Sequence, residues 1–334
     1  MTPGRDDDAA PNAAPLLRVS GLVKHFVPGS RLFRSRRLTV RAVDGVSFSV
    51  RRGEAVGLVG ESGCGKSSAA RATLRLIEPD AGEIWFDGTD LRGASGAALA
   101  GLRRRMQMVF QDPFSSLNPR RTIGQTLTEP LLVHRIAGRR AAWDRAAELL
   151  DEVGLSGAAL GQFPHEFSGG QRQRIGLARA LTVEPDLIIA DEPVSALDVS
   201  VQAQVLLLMR RLQERRGLAF LFVSHDLGVV RWFCTQVCVM YLGRIVEQGS
   251  VEQVFGAPRH PYARVLRDAS PVPDPRQRNA ASPDQGEIPS AANPPAGCRF
   301  HPRCNRASKV CRVEYPPWTA GEDGGFACHH PIDA

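Results

Sequence analysis

The sequence predicts an α/β fold built on a mostly parallel sheet, and three stretches carry that expectation. AVGLVG (55–60) is a continuous apolar run of strand length, followed by a glycine-rich turn and the helix-permissive KSSAARATLRLI. DLIIA (186–190) repeats the pattern: it runs into two acids, and a helix is expected over about 199–216. LAFLFVSH then reads as another buried strand. Strands apolar at every position, alternating with helices, are what a parallel sheet covered on both faces requires.

Along the chain, residues 1–14 lack the apolar content to offset ordering entropy and read as a disordered tail. LLRVSGLVKHF and LTVRAVDGVSFSVRRGE form a β-rich region, and the alternation in AVDGVSFSV suits a half-buried strand. Between the two strand-helix units, about 122–182 lacks strand signals, and a helical subdomain is expected over about 112–182. TIGQTLTEPLLVHRI, RRAAWDRAAELLDEVGL and QRQRIGLARALTV read as helices of an inserted subdomain. The expected division is therefore a main domain over 15–269 and a separate extension over 270–334. Eleven of the 24 prolines fall in the last 65 residues, so the extension should be irregular and need a staple.

With 334 residues and 43% hydrophobic content, the chain can bury a sizeable core. Its net charge is +7, but of 42 basic residues only three are Lys, and no basic block is interleaved with aromatics. A nucleic-acid partner is not expected. The start MTPGRDDDAAPNAAP has no apolar core of a signal peptide, and no run approaches 18 apolar residues. A cytosolic chain is expected, with any membrane link made through a partner. In a reducing compartment its seven Cys are not expected to form disulfides.

GESGCGKS, comprising Gly60, Glu61, Ser62, Gly63, Cys64, Gly65, Lys66 and Ser67, fits GxxxxGK[ST] between a predicted strand and a predicted helix. Its backbone N–H groups can curl around a phosphate, Lys66 can neutralise β/γ charge, and the Ser67 hydroxyl can bind Mg²⁺. LIIADEP places Asp191 and Glu192 at the end of an apolar strand, where an open sheet presents its ligand crevice. Asp191 suits a Mg²⁺-linked acid and Glu192 a residue that polarises attacking water. An acidic pair after a strand is also what a helix N-cap looks like. In FSGGQRQR, Ser168, Gly169, Gly170 and Gln171 precede a helix-like run, so free N–H groups would face an anion there. A simple capped helix start reads the same way.

With these pieces in order, the chain resembles the ATPase subunit of ABC transporters from about residue 16 to 270: a P-loop NTPase domain with a parallel core sheet, a β-rich subdomain and a helical subdomain. Phe26 in VKHF matches the position on which adenine stacks, Ser68 extends the phosphate loop where Thr is commoner, and Gln111 in VFQDP matches the Q-loop glutamine that joins Ser67 and Asp191 at Mg²⁺. FSGGQ matches the signature, with Phe167 in place of Leu; Asp198 in SALD matches the D-loop, and His225 in VSHD the switch histidine. The resemblance implies ATP and Mg²⁺ as cofactors and a second, paralogous ATPase subunit, whose nucleotide the signature loop of this chain completes; a homodimer is the variant of that arrangement.

QDPFSSLNPR, HEFSGGQRQRI, SHDLGVVR, VMYLGRIVEQG, HPY and GEIPSAANPPAGCRFHPRC resemble the oligopeptide/dipeptide importers, and RAVDGVSFSVRRGE their second ATPase subunit. That branch implies peptide uptake with two membrane permeases and an extracytoplasmic solute-binding protein, this subunit sitting peripherally on the cytoplasmic face of the inner membrane. Residues 111–135 are expected to receive a permease helix. The alternatives are a soluble ABC ATPase of translation or DNA repair, an export ATPase, and an importer for nickel- or glutathione-like solutes. The 102-residue gap from Lys66 to Ser168 holds no sustained heptad, which weighs against the repair enzymes. WFCTQVCVMY departs from relatives, and Cys234 and Cys238 there read as packed thiols. Cys298, Cys304, Cys311 and Cys328 are expected to hold a metal centre that staples the extension. CRFHPRC resembles a [4Fe-4S] ligand region of the importers, with zinc and four unligated thiols as alternatives.

Overall fold

The computed structural model describes residues 14–27, 39–112, 116–269, 287–321 and 324–333. The expected unstructured start lies outside these but for residue 14, as does the Pro-containing stretch 270–286. Along the described residues run β1 (Leu17–Phe26), β2 (Val40–Val50), β3 (Ala55–Val59), β4 (Ala81–Phe86), β5 (Thr89–Asp90) and β6 (Met106–Val109). Then follow β7 (Leu187–Asp191), β8 (Ala219–Ser224), β9 (Gln236–Tyr241), β10 (Arg244–Ser250), β11 (Thr319–Gly321) and β12 (Gly324–Phe326).

Two sheets result. The first, ordered β2-β1-β4-β5, is antiparallel, as its half-buried alternation requires. The second is ordered β11-β12-β10-β9-β3-β8-β7-β6, and its members β9, β3, β8, β7 and β6 are mutually parallel. Period-2 geometry explains their unbroken apolar sequences. Phe220, Phe222, Ile188 and Ala190 face one core cluster, while their neighbours Ala219, Leu221, Leu187 and Ile189 face the other. A half-polar strand here would place charge in one of the two cores.

The helices Ile123–Val133, Arg139–Glu152 and Gly169–Leu181 occupy the expected helical stretch, and Leu127, Leu149, Leu150 and Ile175 join the first cluster. A capping box starts the first of them, in which Gln125 N donates to Thr122 Oγ1 and Thr122 N to Gln125 Oε1. None of the helices among the described residues is long and apolar enough to cross a membrane.

The C-terminal part departs from the expected irregular extension. β11 and β12 form a hairpin that pairs with the edge of β10, Glu247 opposite Phe326 and Gln248 opposite Gly325. An edge strand offers a row of unpaired backbone groups, and the hairpin covers it. Phe300, 1% exposed, meets the rings of Tyr241 at 5.3 Å and Tyr262 at 5.4 Å. The apolar anchoring of this Pro-rich stretch thus comes from the main core, and its low apolar content does not by itself demand a staple. The HPY turn joins the two: Glu247 accepts the backbone N–H groups of Arg259 and His260 at 2.8 Å each, and His260 Nδ1 accepts that of Tyr262 at 3.0 Å. Burial pushes the Glu247 carboxyl up to about 7 and the His260 imidazole down to about 3, so the imidazole is neutral and acts as an acceptor.

Candidate functional site

The carboxyl ends of the parallel strands converge on one cleft of about 820 Å³. β3 delivers the glycine loop. Gly60 takes φ 154° and Gly65 φ 108°, and a Cβ would lie 2.2 Å from Met240 O at the first and 1.9 Å from Ala42 O at the second. Only glycine lets the loop curl this tightly against its neighbours. Lys66, 4% exposed, donates from Nζ to Gly60 O at 2.7 Å and Glu61 O at 3.0 Å. Its charge is therefore held inside the ring of loop amides. Cys64 is buried, and burial raises its thiol, so it packs rather than reacts.

β7 ends in the two acids. Ser67 Oγ donates to Asp191 Oδ1 at 2.7 Å. Asp191 is fully buried, its Oδ2 has no hydrogen-bond partner, and Arg71 stands 3.9 Å from that oxygen. Burial pushes this carboxyl up from its ordinary value, against the Ser67 bond and the Arg71 charge. A hydroxyl and a buried carboxylate with a spare oxygen are donors of the kind that a small hard cation takes.

Glu192 occupies a left-handed turn at φ 46°, a conformation costly for a side chain of its kind. The turn is held by Glu192 N donating to Val223 O at 3.0 Å and Ser195 N donating to Glu192 O at 3.3 Å. Its carboxylate lies between Gln111, whose Nε2 donates at 2.8 Å, and His225, whose Nδ1 is 3.3 Å away. These two come from the ends of β6 and β8, so three strands aim at one point. Neither acid caps the following helix, whose N-cap is Asp198; the capped-helix alternative for the acidic pair does not hold. Phe26 lines the same cleft, 38% exposed, with Lys24 Nζ 5.7 Å from its ring.

Ser168, Gly169, Gly170 and Gln171 stand apart from this cleft and line none of it. Ser168 is the N-cap of helix Gly169–Leu181, with Gln171 N donating to Ser168 Oγ at 3.4 Å and Ser168 N to Gln171 Oε1 at 2.9 Å. Phe167, the departure from the usual Leu, is buried in the core. Asp198 is exposed and makes no side-chain cap bond.

Cys298, Cys304, Cys311 and Cys328 all line one small cavity near His260. Burial raises the thiols of Cys298 and Cys328 to about 11. Among the described residues, however, no three His, Cys, Asp or Glu side chains close on a point as ligands of one metal ion. The expectation of a metal centre is corrected to that extent: the four thiols share one cavity, but among the described residues they form no metal-holding group. Cys234 and Cys238 are buried thiols, pushed further up by burial, which agrees with packing.

A family model for the ABC transporter matches residues 43–195, and one for the oligopeptide/dipeptide transporter C-terminal region matches 246–311. The "Probable peptide ABC transporter ATP-binding protein" of Sinorhizobium fredii is 51% identical over 94% of this chain and 89% of its own length. The oligopeptide transport ATP-binding protein AppF of Bacillus subtilis is 48% identical over 96% of this chain and 98% of its own. This chain belongs to the ABC transporter ATP-binding proteins. Among solved structures, the ATP-binding cassette MJ0796, a dimer bound to ADP and Pi, superposes with a TM-score of 0.62 at 27% identity over 70% of this chain and 98% of that one. An ABC ATPase acts on ATP with Mg²⁺, and the Ser67–Asp191 pair fits that cation by chemistry and by its spare buried oxygen. Sequence reasoning missed two contacts to the glycine loop, from Tyr262 and Arg303. HPY and CRFHPRC were visible as motifs, but nothing local assigns them to a loop more than 200 residues earlier.

Proposed function

We propose that this ABC ATPase powers uptake of peptides, di- or oligopeptides or solutes like them, as one of two ATPase subunits under a pair of membrane permeases. An extracytoplasmic binding protein would supply the solute, and the chain would sit on the cytoplasmic face of the inner membrane. The observation that carries the reading is the match of residues 246–311 to the peptide-transporter C-terminal region, beside an intact phosphate loop. Leu132 and Val133 are exposed in the helical lobe, which supports 111–135 as the permease-facing surface; residues 113–115 of that stretch lie outside the described ones. The domain limits given above, with the helical lobe over about 112–182, belong to the same proposal.

In this reading Phe26 stacks adenine, the amides of 60–65 with Lys66 and Ser68 hold the phosphates, and Ser67, Asp191 and Gln111 hold Mg²⁺, which supplies shielding of the β/γ charge. Glu192 draws a proton from the attacking water, positioned by Gln111 and His225. Ser168–Gln171 and Asp198 serve the nucleotide of a partner subunit. In cells whose only peptide importer contains this chain, Lys66→Ala is expected to reduce uptake of a radiolabelled tripeptide by about 10²-fold or more, through loss of phosphate charge compensation. Undiminished peptide uptake, with loss of nickel or glutathione uptake instead, would reassign the substrate class.

The finer cofactor reading is that Cys298, Cys304, Cys311 and Cys328 hold a [4Fe-4S] cluster. What supports it is that all four thiols line one cavity, as a cluster that takes one thiolate at each of four irons would need. Zinc held by the same four thiolates is the alternative, and metal analysis separates the two. Anaerobic purification should give brown protein with broad absorbance near about 400 nm and about four irons per chain. Colourless, iron-free protein would remove the cluster.

A further inference from the structure

Glu61, the second residue of the phosphate loop, is gripped from both ends by the C-terminal part of the chain. Its backbone N–H donates to Tyr262 Oη at 2.9 Å. Its carboxylate accepts two parallel bonds from Arg303, from Nη1 at 2.7 Å and from Nη2 at 2.8 Å. The two side chains are 9% and 22% exposed, so the pair is largely withdrawn from solvent and little screened. Arg303 is braced in turn by the rings of Tyr241 and Phe300, 5.8 and 5.7 Å from its guanidinium carbon.

The grip acts on the lysine proposed to meet phosphate, because the Glu61 carbonyl is one of the two backbone oxygens that orient Lys66 Nζ. A displacement of Glu61 therefore displaces the lysine and the amides beside it. Glycines at 60, 63 and 65 leave this loop few side chains with which to fix itself, so an external clamp has an effect that it would not have on a helix. Arg303 also stands between two cysteines of the four-thiol cavity in sequence, directly before Cys304. The segment is tied to the others by Cys298 N donating to Cys311 O at 2.8 Å. On the same segment Arg299 bonds Leu242 O and Asp44, and Asp44 also takes Arg244 at 3.2 Å. The thiol-bearing segment is thus fastened to the phosphate loop, to β2 and to the turn between β9 and β10.

We propose that Arg303 is a positioning residue for the phosphate loop, and that through it the conformation of the four-thiol segment sets the affinity for ATP. The proposal rests on Gly60–Ser67 being the phosphate loop, which ATP binding by the unaltered chain tests separately. Breaking a merely structural ion pair in the same place would lower thermal stability and leave nucleotide affinity alone.

The test uses the full chain, with Mg²⁺ and a fluorescent ATP analogue titrated against wild type, Arg303→Gln, Arg303→Lys, Glu61→Gln and the double Arg303→Gln/Glu61→Gln. KM and kcat are measured in the assembled transporter, and melting is followed without nucleotide. Arg303→Gln is expected to weaken analogue binding about tenfold and raise KM in step, with kcat within about twofold. Lysine should recover part of the loss, because an ammonium replaces a fork with a point donor. The double variant should bind no more weakly than the weaker single one. Cys304→Ser should weaken binding when Arg303 is present and add nothing when it is absent. Unchanged affinity in Arg303→Gln, losses that multiply in the double variant, or a fall in melting temperature alone would overturn the proposal.

Discussion

In Glu192→Gln, ATP turnover by the assembled transporter is expected to fall by about 10²–10⁴-fold, the range a general base contributes, while ATP affinity stays within about threefold of wild type. The carboxylate has one amide donor at 2.8 Å and an imidazole nitrogen at 3.3 Å, and its side chain is 13% exposed. It is therefore held in one place and kept from exchanging freely with solvent. Glutamine has the same volume and the same cost at φ 46°, so the turn and the cleft persist. What is lost is the negative charge and the capacity to accept a proton. Lys66, Ser67 and Asp191, proposed to hold the phosphates and the cation, are untouched, so binding should be kept and the closed pair of ATPase subunits should accumulate. Phosphate release, with gel filtration in the presence of ATP, reads both effects. Turnover near the wild-type rate would remove Glu192 from this role, and a parallel loss of affinity would show that the carboxylate shapes the phosphate site instead.

What could be read from the sequence divides along physical lines. The buried strands were legible because a strand covered on both faces must be apolar at every position, as in LIIA at 187–190 and AFLFV at 219–223. The glycine loop was legible because its spacing answers to a fixed task, and the two tightest glycines prove to have no room for a side chain. SGGQ was ambiguous for a good reason: Ser168 is a genuine N-cap, and the free amides that a cap leaves are the same ones that could meet an anion. The acidic pair was ambiguous only in sequence, since its neighbours Gln111 and His225 come from strands roughly 80 and 30 residues away. TAG and GGF carry no period and little side chain, so nothing but the open edge of β10 could make them strands. Arg303 and Glu61, 242 residues apart, leave no local trace of one another.

The second large effect is expected in the signature loop, and the structure selects the position at which to seek it. At Gly170 an added Cβ would lie 2.2 Å from Val201 Cγ1, so any side chain there disturbs the packing of this chain as well as its charge. At Gly169 the nearest atom, Leu197 Cδ2, would be 3.4 Å away, which is ordinary contact. Gly169→Asp therefore adds a carboxylate at the first turn of helix Gly169–Leu181 with little steric cost, and a helix N-terminus tolerates or favours an acid there. The same carboxylate would face the γ-phosphate held by the partner subunit, like charge against like, and should oppose closure. Turnover of the assembled transporter is expected to fall by at least about 10²-fold, a loss of the size seen when one preorganised anion donor is removed. Melting temperature and the affinity of the separate chain for ATP should stay near wild type, because the loop lines none of that chain's own cleft. If the affinity of the separate chain collapses together with turnover, the loop serves its own nucleotide and the shared site is wrong.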